Sequence, residues 1–210
     1  MQLEDDLFAE LADDVYARTA TGTDFLLFRY SSGSAADPGI HKPNWNRSFE
    51  RSVDNPVGGV VLLHGMSDSP YSLRALGETL HKSNYWVVGP RLPGHGTTPA
   101  ALKKISWEDM ADIVRLAVNH LAAKVGSKPI HIVGYSTGAP LALNFTLDAL
   151  AGNADPIPSS LVLISPAIGI HPLAGLARLK NGLIVCSNPW APIPMSLSCS
   201  ISIALPPNRC

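Results

Sequence analysis

The residues best suited to chemistry form a Gly-Tyr-Ser-Thr-Gly segment at positions 134–138. A serine hydroxyl serves as a nucleophile when a sharp strand-to-helix turn lifts it above a sheet, and Gly134 and Gly138 permit such a turn. The segment follows a short apolar run, and Pro140 suits the first turn of a helix, whose N-terminus favours developing negative charge. The pattern predicts Ser136 as the nucleophile of an acyl transfer; the alternative is a small-residue turn without chemistry.

Acyl transfer also needs two hydrogen-bond donors aimed at the oxygen that becomes negatively charged. The backbone N–H of Thr137, directly after the serine, is the first candidate. The second comes from a His-Gly-Met sequence that ends an earlier apolar run, where the N–H of Met66 is the candidate. Gly65 lets the backbone approach a substrate closely. We expect His64 to hold this loop in shape by hydrogen bonding rather than to act as a base.

The elements that must position these groups alternate between strands and helices along the chain. Predicted strands lie at 57–63, 85–88, 130–133 and 160–164, and predicted helices at 70–82, 107–124 and 137–150. This alternation predicts a three-layer α/β sandwich with a mostly parallel sheet. Ligands of such sheets bind at the carboxyl ends of the strands, and both candidate segments follow strands there. Before the core, apolar residues at 3, 7, 11 and 15 predict a helix, and 25–30 a short strand.

Composition excludes several classes of function. The 210 residues carry a net charge of −1 and no basic run, so the attraction to phosphate that nucleic-acid binding needs is missing. The seven histidines show no spacing typical of metal ligands, and we expect neither a metal nor another cofactor. No secretory signal and no apolar stretch of about 18 residues is visible, so we expect a cytoplasmic protein without a transmembrane segment.

Together with an Arg-Leu-Pro-Gly-His-Gly turn at 91–96, these motifs resemble the α/β-hydrolase superfamily. They are most similar to its group of monoacylglycerol lipases, carboxylesterases and serine aminopeptidases, over roughly residues 57–170. The resemblance implies an acyl-enzyme on Ser136, an oxyanion hole formed by the amides of Met66 and Thr137, and a small-molecule ester or amide substrate. Hydrolysis of carboxylic esters is the favoured activity, and a peptidase of the serine aminopeptidase type is the alternative.

The sequence departs from this family after the nucleophile. Such enzymes place an acid and then a histidine on later strands, whereas only 74 residues follow Ser136 here. The carboxylates among them are Asp148, inside a predicted helix, and Asp155, ahead of the next predicted strand; neither is at the family's acid position. His171 is the sole histidine in that stretch and therefore the candidate base.

Composition divides the chain into three parts. Residues 1–56 hold the first helix, a short strand and a polar connection, 57–172 the N-terminal part of a hydrolase core, and 173–210 an atypical tail. The tail has no acidic residue and contains all three cysteines, whose spacing favours free thiols.

Three interpretations of this departure from the family remain open. The favoured one is a truncated or frameshifted hydrolase with impaired activity. In the others, His171 acts as base without a carboxylate, or the fold is a non-catalytic ligand-binding module. Under the favoured account the sheet has an unpaired edge and residues 181–210 pack loosely.

Overall fold

The computed structural model describes residues 37–42, 44–96, 101–167 and 200–204, and within them a six-stranded sheet carries helices on both faces. The strands are β1 (Phe49–Arg51), β2 (Gly58–Leu63), β3 (Tyr85–Gly89), β4 (Ile130–Tyr135), β5 (Ser160–Ile164) and β6 (Ser200–Ala204). The helices are α1 (Arg74–Lys82), α2 (Trp107–Val125) and α3 (Gly138–Leu150), with 3₁₀ turns at Pro38–Ile40, Pro70–Leu73 and Ala101–Lys104.

The sheet is mostly parallel, with antiparallel strands at its two edges. Its order is β1-β3-β2-β4-β5-β6, in which β3, β2, β4 and β5 run parallel. Strand β1 pairs antiparallel with β3, and β6 pairs antiparallel with β5. The predicted α/β sandwich and its four parallel strands are thereby confirmed, with strand ends shifted by at most two residues.

Apolar side chains alternate between the two faces of the central strands, and both faces are covered. On β2, Val61 and Leu63 belong to the cluster formed with α2 and α3, whereas Val60 and Leu62 belong to the cluster formed with α1. All six residues of β2 are buried. A strand that is covered on both faces has a continuous apolar run in its sequence, rather than alternating apolar and polar residues.

Helix α2 begins at a capping box that fixes its start. The Ser106 hydroxyl accepts a bond of 3.1 Å from the Asp109 N–H, and the Asp109 carboxylate accepts one of 2.8 Å from the Ser106 N–H. These bonds satisfy donors that lack partners inside the helix. The helix ends at Val125, because the next residue, Gly126, has a φ of 64° that stops regular winding.

Two strands are absent from the sequence-based prediction. Strand β1 lies in the connection expected to be only polar; it has three residues, too few for an alternating pattern to show. Strand β6 lies in the atypical tail and pairs with β5 along its whole length. Strand β6 therefore covers the edge of β5 and is itself the last strand of the sheet that the structure describes. The segment 200–204 alternates serine with isoleucine and contains no proline, so its backbone can complete a ladder.

Other predictions fall outside the described residues. These are the helix over 3–15, the strand at 25–30, the candidate base His171 and most of the tail. The division of the chain into 1–56, 57–172 and 173–210 likewise stays a prediction.

Candidate active site

Ser136 occupies a sharp turn between β4 and α3. Its φ is 51°, a left-handed conformation that costs a non-glycine residue of order 1–3 kcal/mol. Three backbone bonds hold the turn: the Ser136 N–H donates to the Ile164 carbonyl at 3.0 Å, and the Ser136 carbonyl accepts from Ala139 at 3.1 Å and Ala167 at 3.2 Å. The surrounding structure thus imposes the strained conformation on this serine.

The two glycines of the motif permit close packing around that turn. A Cβ at Gly134 would lie 2.5 Å from the Cα of Ala139, and a Cβ at Gly138 would overlap the carbonyl of Leu63. Real Cβ atoms do not come so close to backbone. Helix α3 can therefore begin directly behind Ser136 only because neither position carries a side chain.

The loop after β2 lies beside the serine. Leu63 pairs with Gly134 across the parallel ladder, so the two strands end at the same level of the sheet. A Cβ at Gly65 would lie only 3.0 Å from the Cβ of Ser136. The structure thus brings together Ser136 and the loop of Gly65 and Met66.

The two candidate oxyanion donors are the backbone N–H groups of Met66 and Thr137. Among the residues that the structure describes, neither the Met66 N–H nor the Thr137 N–H donates a hydrogen bond. Thr137 occupies the N-cap position of α3, where backbone N–H groups have no intrahelical acceptor. Met66 is 45% exposed in the loop after β2.

His64 determines which way the Gly65–Met66 peptide faces. Its ring is fully buried; Nε2 accepts from the Leu92 N–H at 3.1 Å, so the proton resides on Nδ1, which donates to the Gly65 carbonyl at 2.9 Å. That peptide is trans, so its N–H points opposite to its carbonyl. Because the carbonyl points to a buried ring, the Met66 N–H points away from the interior.

Burial lowers the pKa of His64 to about 4, and the ring is neutral at pH 7. The unfolded chain binds a proton at the ordinary histidine pKa of about 6.5, so it gains protons before the folded chain does as pH falls. The contribution of His64 to the free energy of unfolding is therefore fully present above about pH 6.5 and is lost as the pH falls towards 4. We expect His64 to account for a loss of about 2 kcal/mol between pH 7 and pH 5.

Urea unfolding of the wild type and of His64→Asn at both pH values measures this contribution. The variant side chain does not titrate, so its stability should fall by about 2 kcal/mol less than that of the wild type. Equal losses in the two proteins would contradict the buried neutral state of His64.

A second loop, at residues 91–96, packs against the first. His95 is 2% exposed, meets the ring of His64 edge-on at a centroid distance of 5.1 Å, and bonds the Pro93 carbonyl through Nδ1 at 2.9 Å. Burial lowers the pKa of His95 as well. Arg91 donates through Nε to the His95 carbonyl at 2.6 Å. These side chains hold the loop and have no bond to Ser136.

Sequence reasoning missed the segment that ties this loop down. The Ser48 hydroxyl accepts from the Arg91 N–H at 2.8 Å, and the buried Asn46 amide donates to the Gly96 carbonyl. These partners are 43 and 50 residues apart in the chain. No local motif marks them, because the contact exists only once β1 lies beside β3.

Within the described ranges, no acid or base reaches the nucleophile. The Ser136 hydroxyl makes no hydrogen bond there. Asp148 accepts from Asn144 on α3 at 3.2 Å, and Asp155 is exposed in the connection before β5. His171 lies outside the described residues, so its relation to Ser136 stays a prediction.

Comparison with known proteins assigns this chain to a family. The model of the alpha/beta hydrolase family matches residues 60–205, more than half of the chain. The chain belongs to the alpha/beta hydrolase family. The family that the three motifs predict is therefore confirmed. No helix among the described residues of this hydrolase is both long and apolar enough to cross a bilayer. In the same ranges, no three His, Cys, Asp or Glu side chains gather as metal ligands would.

Two of the curated proteins that resemble this chain are named as lipases. It is 34% identical to the thermostable monoacylglycerol lipase of Bacillus sp. (strain H-257) over 91 residues, 43% of this chain and 36% of that protein. It is 30% identical to phospholipase YtpA of Bacillus subtilis (strain 168) over 120 residues, 57% and 44% of the two chains. The matches thus span less than half of each relative.

A solved structure is also similar to this chain. It is described as coming from LipS and LipT, two metagenome-derived lipolytic enzymes, and is 27% identical to this chain with a TM-score of 0.53. The match covers 70% of this hydrolase and 54% of that chain.

Proposed function

We propose that this chain is a serine hydrolase that attacks carboxylic esters through an acyl-enzyme on Ser136, with impaired activity. The observation that carries the proposal is the left-handed turn at Ser136, with a φ of 51°, directly against the Gly65 loop. A strained non-glycine residue at the end of a central strand needs a reason, and exposure of a nucleophile supplies one. Membership of the alpha/beta hydrolase family and similarity to a monoacylglycerol lipase support an ester as substrate.

In the first step, the Ser136 hydroxyl oxygen bonds to the ester carbonyl carbon while the carbonyl π electrons move onto oxygen. The N–H groups of Met66 and Thr137 donate to that oxygen, because both are free of other acceptors among the described residues. Removing one such donor costs about 10²–10³ in rate in well-studied serine enzymes. The N-terminus of α3 adds a favourable dipole.

In the second step, the bond between the carbonyl carbon and the alcohol oxygen breaks, and the alcohol leaves with the proton that came from Ser136. Water then attacks the acyl-enzyme, and the serine regains a proton as the carboxylic acid departs. Each proton transfer needs a base near the Ser136 hydroxyl, and no described side chain bonds it. We therefore expect slow turnover.

The surroundings of the serine favour an ester with an apolar acyl group. Met66 is 45% exposed and Tyr135 is 36% exposed, and both lie next to the candidate site. Exposed apolar surface at a site is available to bury an apolar ligand. The names of the two curated relatives, a monoacylglycerol lipase and a phospholipase, agree with a lipid ester.

Covalent labelling by a fluorophosphonate tests the nucleophile. We expect intact-mass analysis of the full chain to show one slowly formed adduct, and peptide mapping to place it on Ser136. The Ser136→Ala variant should form none. A reagent of this kind needs access to the serine oxygen and donors for the phosphoryl oxygen. Ser136 is partly exposed, and we propose the N–H groups of Met66 and Thr137 as those donors.

Ser160 provides a matched control for labelling. Its hydroxyl bonds His131 Nδ1 at 2.7 Å, so it resembles a serine–histidine pair, yet it lies at the opposite end of the sheet from Ser136. The Ser160→Ala variant should label like the wild type. An adduct on Ser160, or none on Ser136, would contradict the proposal.

A further inference from the structure

Tyr135, the residue before the nucleophile, contacts the loop that carries a proposed oxyanion donor. A Cβ at Gly65 would lie 3.2 Å from both Cδ1 and Cε1 of the Tyr135 ring and 3.0 Å from Ser136 Cβ. The ring, the Gly65 backbone and the nucleophile therefore meet at one point. Tyr135 ends β4 and is 36% exposed.

The peptide that needs support joins Gly65 to Met66. Glycine has unusual rotational freedom, so this peptide unit can rotate between its two flanking Cα atoms at little steric cost from residue 65 itself. Such a rotation would turn the Met66 N–H away from the oxyanion position. A hydrogen bond from His64 holds the carbonyl end of the peptide. The ring of Tyr135 occupies the space on another side.

We propose that Tyr135 is a positioning residue whose ring holds the Gly65–Met66 peptide with the Met66 N–H aimed at the substrate oxygen. The inference rests on the proposed function of Ser136 and extends it. The ring rather than the hydroxyl does this, since the Tyr135 hydroxyl forms no hydrogen bond to the described residues. Tyr135→Phe should therefore keep the Gly65–Met66 peptide in place, whereas Tyr135→Ala should not.

A residue that positions an oxyanion donor affects the maximal rate constant, whereas a residue that only contacts the substrate affects the half-saturation concentration. A donor that strengthens in the transition state changes the rate of the chemical step, whereas contact with an acyl chain changes binding. Fluorophosphonate labelling separates the two, because its saturation curve gives a maximal rate constant and a half-saturation concentration.

For the full chain, we expect Tyr135→Ala to lower the maximal labelling rate constant at least tenfold, with the half-saturation concentration unchanged within twofold. Tyr135→Phe should label within twofold of the wild type. Tyr85→Ala is the matched control, since Tyr85 begins β3 and its ring packs against His131 at the opposite end of the sheet. It should label at the wild-type rate.

Backbone hydrogen exchange provides a readout that needs no reaction at Ser136. In Tyr135→Ala, peptides covering 64–67 should exchange at least tenfold faster than in Tyr135→Phe, while those of β2 exchange alike. Equal exchange rates for peptides 64–67 in the two variants would overturn the positioning role. So would a labelling defect that Tyr135→Phe shares, or one that changes the half-saturation concentration alone. A wild type that exchanges as expected but never labels Ser136 would instead reject the proposed function alone.

Discussion

Replacing Gly138 by alanine is expected to destabilise the chain by more than about 4 kcal/mol, in the range reserved for severe steric or core damage. The added Cβ would overlap the Leu63 carbonyl and lie 2.8 Å from the His64 carbonyl oxygen. Both obstacles are backbone atoms at the end of β2, a strand paired on both sides. Relief therefore requires moving α3 away from the sheet or breaking a ladder, and either change also dismantles the turn at Ser136.

Urea unfolding measures this loss, and Gly126→Ala is its matched control. Gly126 follows α2, has a φ of 64°, and would place a Cβ in open space. Alanine there should cost about 1–3 kcal/mol for the positive-φ backbone alone. If Gly138→Ala destabilises the chain no more than Gly126→Ala, that result would contradict the close contact between α3 and the end of β2.

The parallel core could be predicted because its signals are local. The apolar run of β2 and the strand before Ser136 are covered on both faces, which leaves a continuous stretch that a sequence displays directly. The glycines at 134 and 138 are also a local signal, since a strand-to-helix turn of this kind excludes side chains at both positions. The fold and the location of the candidate nucleophile therefore follow from short segments.

The remaining features depend on contacts between distant residues. Strand β6 forms because its backbone pairs with β5, which lies about 40 positions earlier in the chain. Five residues with two isoleucines are too short a segment to predict that pairing. The bonds from Ser48 to Arg91 and from Asn46 to Gly96 depend on the same kind of long-range approach. The contact between Tyr135 and Gly65 likewise appears only when β2 and β4 end side by side.

Turnover of p-nitrophenyl butyrate by the purified chain is expected to be at least 10³-fold below the ~10 s⁻¹ median of ordinary enzymes. The Ser136 hydroxyl has no base among the described residues, and loss of one member of a catalytic group removes most of the benefit of the others. An external base can then supply the missing function. Imidazole at about 0.1 M should raise the Ser136-dependent rate at least tenfold, since general bases contribute about 10²–10⁴ in rate.

The Ser136→Ala variant separates this effect from the direct reaction of imidazole with the ester, which proceeds equally in both samples. Without imidazole the variant and the wild type should differ little, because a serine without a base adds little to an oxyanion hole. With imidazole only the wild type should accelerate beyond the direct reaction. Turnover near 10 s⁻¹ that Ser136→Ala abolishes would instead show that the chain contains a working base, and His171→Ala would then be the variant that identifies it.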